Sequence, residues 1–440
     1  MTLKNIISTT ESPELKMLTA CMRCYFGTTS TAELAGLFTA TEFTSAIDNW
    51  SSLIQTAIAQ GLMPLLYQVL KKIESESEKE REYVPRSVMA QLQMLNRMNG
   101  LNNLSQAKEL LRILGYLETS GIEAIAFKGA VLAASAYGNI ALRQFNDLDI
   151  LVHRRDFWQA KAILVSHGYQ SAVSEEGELE MFHRHLQISL LQSATESKMF
   201  NAHFEPSLLH SDPERSIDLH WGIPPRRVYN PARFGRLWEN LNQVMLMGQS
   251  VKNLSPELTL IIQCTNVAKE YTWTRSLKQY CDVAQVIRNY ADLNWLLALE
   301  LSSELKNQKL FLMGLSMTHS LLHISLPQSI LDTLVKIKLP DLPDQKYDDH
   351  LLGTGQGLWQ EYIIQIKTLD NAWDSIFITM LHLQLLLKTA LSPNQRDREF
   401  LSLPKGLFFL YPIFRPIRLL AKHSGFQLVY NKLKVAFTRQ

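Results

Sequence analysis

Between Pro13 and Leu70 apolar residues recur at three- and four-residue spacing, as in Leu53, Ile54, Ala57, Ile58 and Leu62. That period belongs to helices with one buried face. Pro64-Leu65-Leu66-Tyr67 opens a further helix, with proline in its first turn. The Lys-, Glu-, Ser- and Arg-rich run from Lys71 to Arg86 reads as a solvated helix end and linker. Ser87 to Ser120 reads as one or two helices with the stripe Leu104, Ala107, Leu110, Leu111, Leu114 and Leu117, and Gly121 then supplies a left-handed cap.

The period changes after Gly121. Residues 122–127 are a short apolar run, the pattern of a buried strand, and Gly129 breaks it. Ala130 to Tyr137 reads as a short helix, Leu148 to Val152 as the next strand, and Arg155 to His167 as a helix closed by Gly168. Tyr169 to Val173 begins a strand or turn. Leu186 to Leu190 alternates as a half-exposed strand does, and Ser216 to Trp221 is another strand. Residues 193–214 have weak periodicity and read as an irregular insertion. From Pro256 helical spacing returns, in Leu258, Ile261, Ile262, Thr265 and Ala268, and in Leu277, Tyr280, Cys281, Ala284 and Ile287. Three regions follow: a helical 1–100, an α/β core 101–250 and a helical 251–440.

Composition adds limits rather than a function. The chain has 440 residues, 46% of them hydrophobic and 20% charged, a globular balance in a chain long enough for two or three domains. A formal charge of +2 gives no overall field for long nucleic acid or an anionic membrane. The four cysteines do not form a disulfide framework, and Cys21-x-x-Cys24 lies on an apolar helix face, so it reads as core. Gly353, Gly355 and Gly357 lack a preceding strand and read as a flexible connection. The apolar windows 376–391 and 407–420 are both broken by polar residues or prolines. Neither offers the ~20 uninterrupted apolar residues of a spanning helix. Met1 to Thr10 shows no signal-peptide pattern, and the expected location is cytoplasmic. The aromatic and basic stretch 405–422 reads as a packed segment, with peripheral membrane contact as the other reading.

Chemistry concentrates in Phe127-Lys128-Gly129-Ala130, Arg143 and Asp147-Leu148-Asp149-Ile150-Leu151-Val152. In a strand, residues two apart share a face, so Asp147 and Asp149 place two carboxylates together. Such a pair is repulsive until a cation joins it, and hard oxygen ligands suit Mg²⁺. Lys128 and Arg143 offer charge for phosphate, and Gly129 lets backbone approach it closely. His183 and His185 have no partner pattern. Trp221 reads as a core residue, and His220 as a neighbour of the metal.

The segment Gly121 to Tyr169 resembles the uncharacterised bacterial nucleotidyltransferases of the DNA polymerase β-like superfamily. The resemblance rests on Phe127-Lys128-Gly129, Leu132, Tyr137, Arg143, the Asp147–Val152 run and Gly168-Tyr169. Ile217-Asp218-Leu219-His220-Trp221 resembles the family's acidic-Leu-His-Trp strand. Weaker likenesses lie at Pro64–Tyr67, Lys269–Asp282, Leu403-Pro404 and Arg415-Pro416.

This likeness implies an α+β fold, in which a small mixed sheet is flanked by mainly helical N- and C-terminal regions. It also implies transfer of a nucleoside monophosphate from an NTP, ATP among them, to an acceptor hydroxyl, with release of pyrophosphate. Asp147, Asp149 and Asp218 would be catalytic and metal-binding, the first two bridging Mg²⁺ (or Mn²⁺) ions about 3.5–4 Å apart. Lys128, Gly129 and Arg143 would bind the nucleotide. Ala130 stands where the wider superfamily often has Ser. That departure motivates the alternative of an inactive nucleotide-binding or protein-interaction module on the same fold.

Overall fold

Strand β2 (Asp147–Val152) lies inside the sheet, and its alternation is legible in two separate cores. Leu148, Ile150 and Val152 point into one core with Ile217 and Leu219. Leu151 points into the other, with Ile125 and Phe127. A strand buried on both faces loses the polar alternation of a half-exposed one, which is why its second half, Ile150-Leu151-Val152, is continuously apolar.

The computed structural model describes residues 12–39, 50–76, 83–171, 207–210, 216–222, 231–239, 241–269 and 277–337, with 375–376, 379–380 and 383. The chain divides into two units. One is 1–350 with 368–370, and the other is 351–367 with 371–440. In the second, the described residues are helical, and Ile376, Met380 and Leu383 are exposed. The expected strand Leu186–Leu190, the Gly353–Gly357 segment and the 405–422 stretch lie outside the described residues.

The first unit is a mixed α+β structure. Its sheet runs in the order β1-β2-β5-β4-β3, from Ala124–Ala126 (β1), Tyr169–Ser171 (β3), Ser207–His210 (β4) and Ser216–His220 (β5). β2 and β5 are parallel, and the remaining pairs are antiparallel. A hairpin of Leu241–Leu246 (β6) and Gln249–Leu254 (β7) stands apart as a two-stranded sheet. The segment expected to be irregular, 193–214, therefore contributes a strand. β4 fills the gap between β5 and β3, and its four residues are too few to show a period.

Helices among the described residues that precede the sheet include Pro13–Tyr25 (α1), Thr31–Thr39 (α2), Trp50–Ala59 (α3) and Met63–Glu76 (α4). Arg86–Thr119 (α5) is one helix of 34 residues and runs across the expected boundary at residue 100. Gly121 ends it with φ +73°, as the cap signal implied. Gly129–Ser135 (α6) and Phe157–Ser166 (α7) lie between the strands, and Pro231–Glu239 (α8) precedes the hairpin. The chain then enters Pro256–Lys269 (α9), Leu277–Asn289 (α10), Trp295–Glu304 (α11), Gln308–Leu322 (α12) and Gln328–Lys336 (α13).

Helices from both ends share one core. Leu18, Leu66 and Leu70 belong to the same apolar cluster as Ile261, Tyr280, Phe311 and Leu322, and that cluster reaches Leu151 on the sheet. Cys21, Cys24, Cys264 and Cys281 are all buried and free, as core cysteines should be. Among the described residues no helix is long and apolar enough to cross a membrane.

Candidate active site

Register sets the site. Asp149 on β2 lies directly opposite Asp218 on β5, with Asp147 opposite Ser216 and Leu151 opposite His220. Residues in register on parallel strands face the same way, so Asp147, Asp149, Asp218 and His220 all lie on the face turned to the core shared by the terminal helices. The site deepens along the strand. Asp147 is exposed, Asp218 is half-buried, and Asp149 and His220 are buried.

Asp149, Asp218 and His220 bring three donor atoms within 4.8 Å of one another. Asp149 Oδ1 accepts from Lys128 Nζ at 2.8 Å and lies 3.1 Å from His220 Nε2. With its proton on Nε2 the imidazole donates to the carboxylate, and Phe127 packs edge-on against the ring at 5.0 Å between centroids. Burial alone would push the Asp149 carboxyl up. The Lys128 ammonium and the His220 contact outweigh it and hold the carboxyl well below the usual range.

Asp149 Oδ2 is buried and accepts no hydrogen bond. An orphaned carboxylate oxygen beside a second carboxylate is costly alone, and it fits a hard divalent cation. Asp149 and Asp218 would hold such an ion. Asp147 shares their face but lies outside the group of three, at the exposed start of the strand.

Gly129 follows Lys128 with φ +50°, and a Cβ there would stand 3.0 Å from the carbonyl oxygen of Asp147. The glycine therefore allows the turn after β1 to press against the first residue of β2. Ala130 is fully buried in the second core with Val131 and Ala133. A serine there would take its hydroxyl into an apolar contact.

Arg143 is not brought to the acidic group. It is buried, and its Nε and Nη2 donate to the two oxygens of Asp282 on α10, at 2.8 and 2.9 Å. Tyr137 Oη donates to the same carboxylate at 2.8 Å, and Asn103 Nδ2 donates to the Arg143 carbonyl at 2.8 Å. The guanidinium ties the loop before β2 to a helix 139 residues away. Asp282 entered the sequence reading only as the end of the Lys269–Asp282 likeness, with no role, because its partner is so distant in the chain. Trp221 is 8% exposed, with the Arg154 guanidinium 5.2 Å from its ring centroid, which fits the expected core role. His183 and His185 lie outside the described residues.

The family model described as "Uncharacterised nucleotidyltransferase" matches residues 47–323. No curated protein matches the chain. A solved structure of the antibiotic-resistance factor ANT(2'')-Ia aligns at 10% identity over 50% of this chain and 98% of its own, with a TM-score of 0.29. An antigenic nucleotidyltransferase-like protein from Paracoccidioides brasiliensis aligns at 13% identity over 55% and 94%, with a TM-score of 0.25. At such scores neither likeness decides anything about this chain.

Proposed function

The chain belongs to the uncharacterised nucleotidyltransferase family, and from that premise we propose that it moves a nucleoside monophosphate from an NTP to an acceptor hydroxyl. Membership makes it an enzyme of the nucleotidyltransferase class. The donor, the metal and the residue roles are our reading. The observation that carries it is the register pairing of Asp149 with Asp218, which leaves a buried carboxylate oxygen unsatisfied beside a second carboxylate.

In this mechanism the acceptor oxygen bonds to the α-phosphorus, and the bond from that phosphorus to the bridging β-oxygen breaks. Pyrophosphate leaves with the electron pair, and the acceptor proton passes to Asp218, the more accessible of the paired carboxylates. Asp149 and Asp218, with Asp147 at the open side, would hold Mg²⁺ or Mn²⁺, which would neutralise phosphate charge there. Lys128 keeps Asp149 ionised and adds positive charge beside it. His220 fixes the Asp149 carboxylate in orientation. Gly129 lets the turn that carries Lys128 press against the start of β2, beside the carboxylates. Arg143 acts here as a positioning residue, through Asp282 and the loop that leads into Asp147.

Calorimetric titration of the four ribonucleoside triphosphates in Mg²⁺ or Mn²⁺ tests the reading. Wild type should bind one of them in a metal-dependent way, and Asp149→Asn should weaken that binding at least about a hundredfold, in line with removal of one partner from a buried charged site. Equal, metal-independent binding by both would sink the proposal. The acceptor class is open to a sugar, a small molecule, a protein side chain or an RNA end.

A further inference from the structure

Helix α10 begins beside the acidic face of the sheet, and its second residue is a lysine whose charge the site described above leaves unused. Lys278 Nζ donates to the backbone carbonyl of Gln144 at 3.3 Å, three residues before Asp147. Among the described residues it has no carboxylate within 4 Å, yet it is half-buried. A half-buried ammonium with one weak acceptor and no carboxylate in contact is an expensive arrangement, unless an anion arrives.

Several contacts hold this lysine in place. A Cβ on Gly61, in the turn between α3 and α4, would lie 2.7 Å from Lys278 Cδ, so the glycine (φ +66°) leaves room for the stem. Gln60 Oε1 accepts from the Leu277 N–H at 3.0 Å, and Gln144 Oε1 accepts from the Met63 N–H at 3.2 Å. The N-terminal helices, the loop before β2 and α10 therefore meet around one side chain. Burial pulls the ammonium below its usual range and Arg143 adds to this, while Asp282, Asp147 and Asp149 work against it. Its bond to Gln144, three residues before Asp147, places the ammonium on the loop that leads into β2.

We propose that Lys278 binds the β- and γ-phosphates of the donor NTP, and the pyrophosphate released from it, from the helical side of the site. This rests on the nucleotidyltransferase reading above. Lys128 is occupied by Asp149 and Arg143 by Asp282, so neither expected cation stands ready for the far end of the triphosphate. Lys278 sits at the start of β2, toward the exposed Asp147 and away from the buried Asp149–His220 end. A compact ammonium suits a polyphosphate tail, whereas an acceptor hydroxyl needs no cation.

The test is titration of the full chain with inorganic pyrophosphate, the preferred NTP and its nucleoside monophosphate, each in Mg²⁺. Lys278→Met keeps the stem and removes the charge. It should weaken pyrophosphate and NTP about tenfold or more, leave the monophosphate unchanged, and be largely rescued in Lys278→Arg, as loss of one charged hydrogen-bond donor predicts. A folded Lys278→Met that binds pyrophosphate as tightly as wild type overturns the proposal and leaves the nucleotidyltransferase reading standing, provided Asp149→Asn still loses NTP. No binding of any triphosphate or of pyrophosphate by wild type overturns both. A second measurement needs no variant. Pyrophosphate should protect Lys278 of the wild type from acetylation by acetic anhydride, read by mass spectrometry. Unchanged labelling counts against the proposal.

Discussion

Asp149 shows how a single residue can be charged and buried together. Its carboxyl is held low by Lys128 and His220 against a burial penalty that acts the other way. The sign of the pH effect follows. A carboxyl depressed below its ordinary 3.8 in the folded chain contributes stability that is complete above that value and is lost as pH falls toward the folded value. The stability difference between wild type and Asp149→Asn should therefore be flat from pH 7 to about 5 and shrink only as pH falls below about 4. Urea midpoints at each pH would read it, and a change centred near pH 6 would contradict this account. Arg143 belongs to the same scale. With Asp282 fully buried and sharing Tyr137, Arg143→Met leaves an uncompensated charge and should cost about 3–5 kcal/mol in urea unfolding. The sequence marked Arg143 as functional because of its place before Asp147. It could not show that the guanidinium faces a helix, since an ion pair depends on distance in space and not along the chain.

Among the elements, β2 was the most legible, because its apolar run and its two-residue acidic spacing are both local. β4 was the least. Four residues, Ser207–His210, become a strand only because β5 and β3 flank them. The 34-residue α5 read as one or two helices, since a stripe over its second half says little of the first. Helix α12 carries a constraint that no periodicity reveals. A Cβ at Gly314 would stand 2.2 Å from the carbonyl oxygen of Cys264 on α9. Alanine would gain up to about 1 kcal/mol in helix propensity, but the obstructing atoms are backbone and cannot swing aside. Gly314→Ala should therefore destabilise by about 3 kcal/mol or more, through separation of α9 from α12. A thermal midpoint equal to that of wild type would show that the two helices can part freely.

For the molecule as a whole, the sheet has two faces and two cores. The face of Leu148, Ile150 and Val152 is covered locally, by residues such as Leu110, Ile113 and Leu164. The face of Leu151 and the acidic residues is covered by helices from both ends of the first unit. A fragment of residues 101–250 would expose Ile125, Phe127 and Leu151 and leave Arg143 without Asp282. Such a fragment should lack a cooperative thermal transition, whereas the full chain should show one. A cooperative melt of the fragment would mean that the second core suffices.

Local pattern was enough to place the strand β2, the shared face of Asp147 and Asp149, the glycine turn after β1, the helical character of both flanks and the burial of the cysteines. Each is a matter of local period or local backbone conformation, which neighbours in the chain settle. Which charge meets which was left to the packing of the fold. It gave Asp149 to Lys128 and His220, Arg143 to Asp282, and set Asp218 opposite Asp149 while Lys278 approached from the helical side. Those pairings span tens to more than a hundred residues. They are fixed by how the sheet and helices pack around one core, and no period along the chain records that.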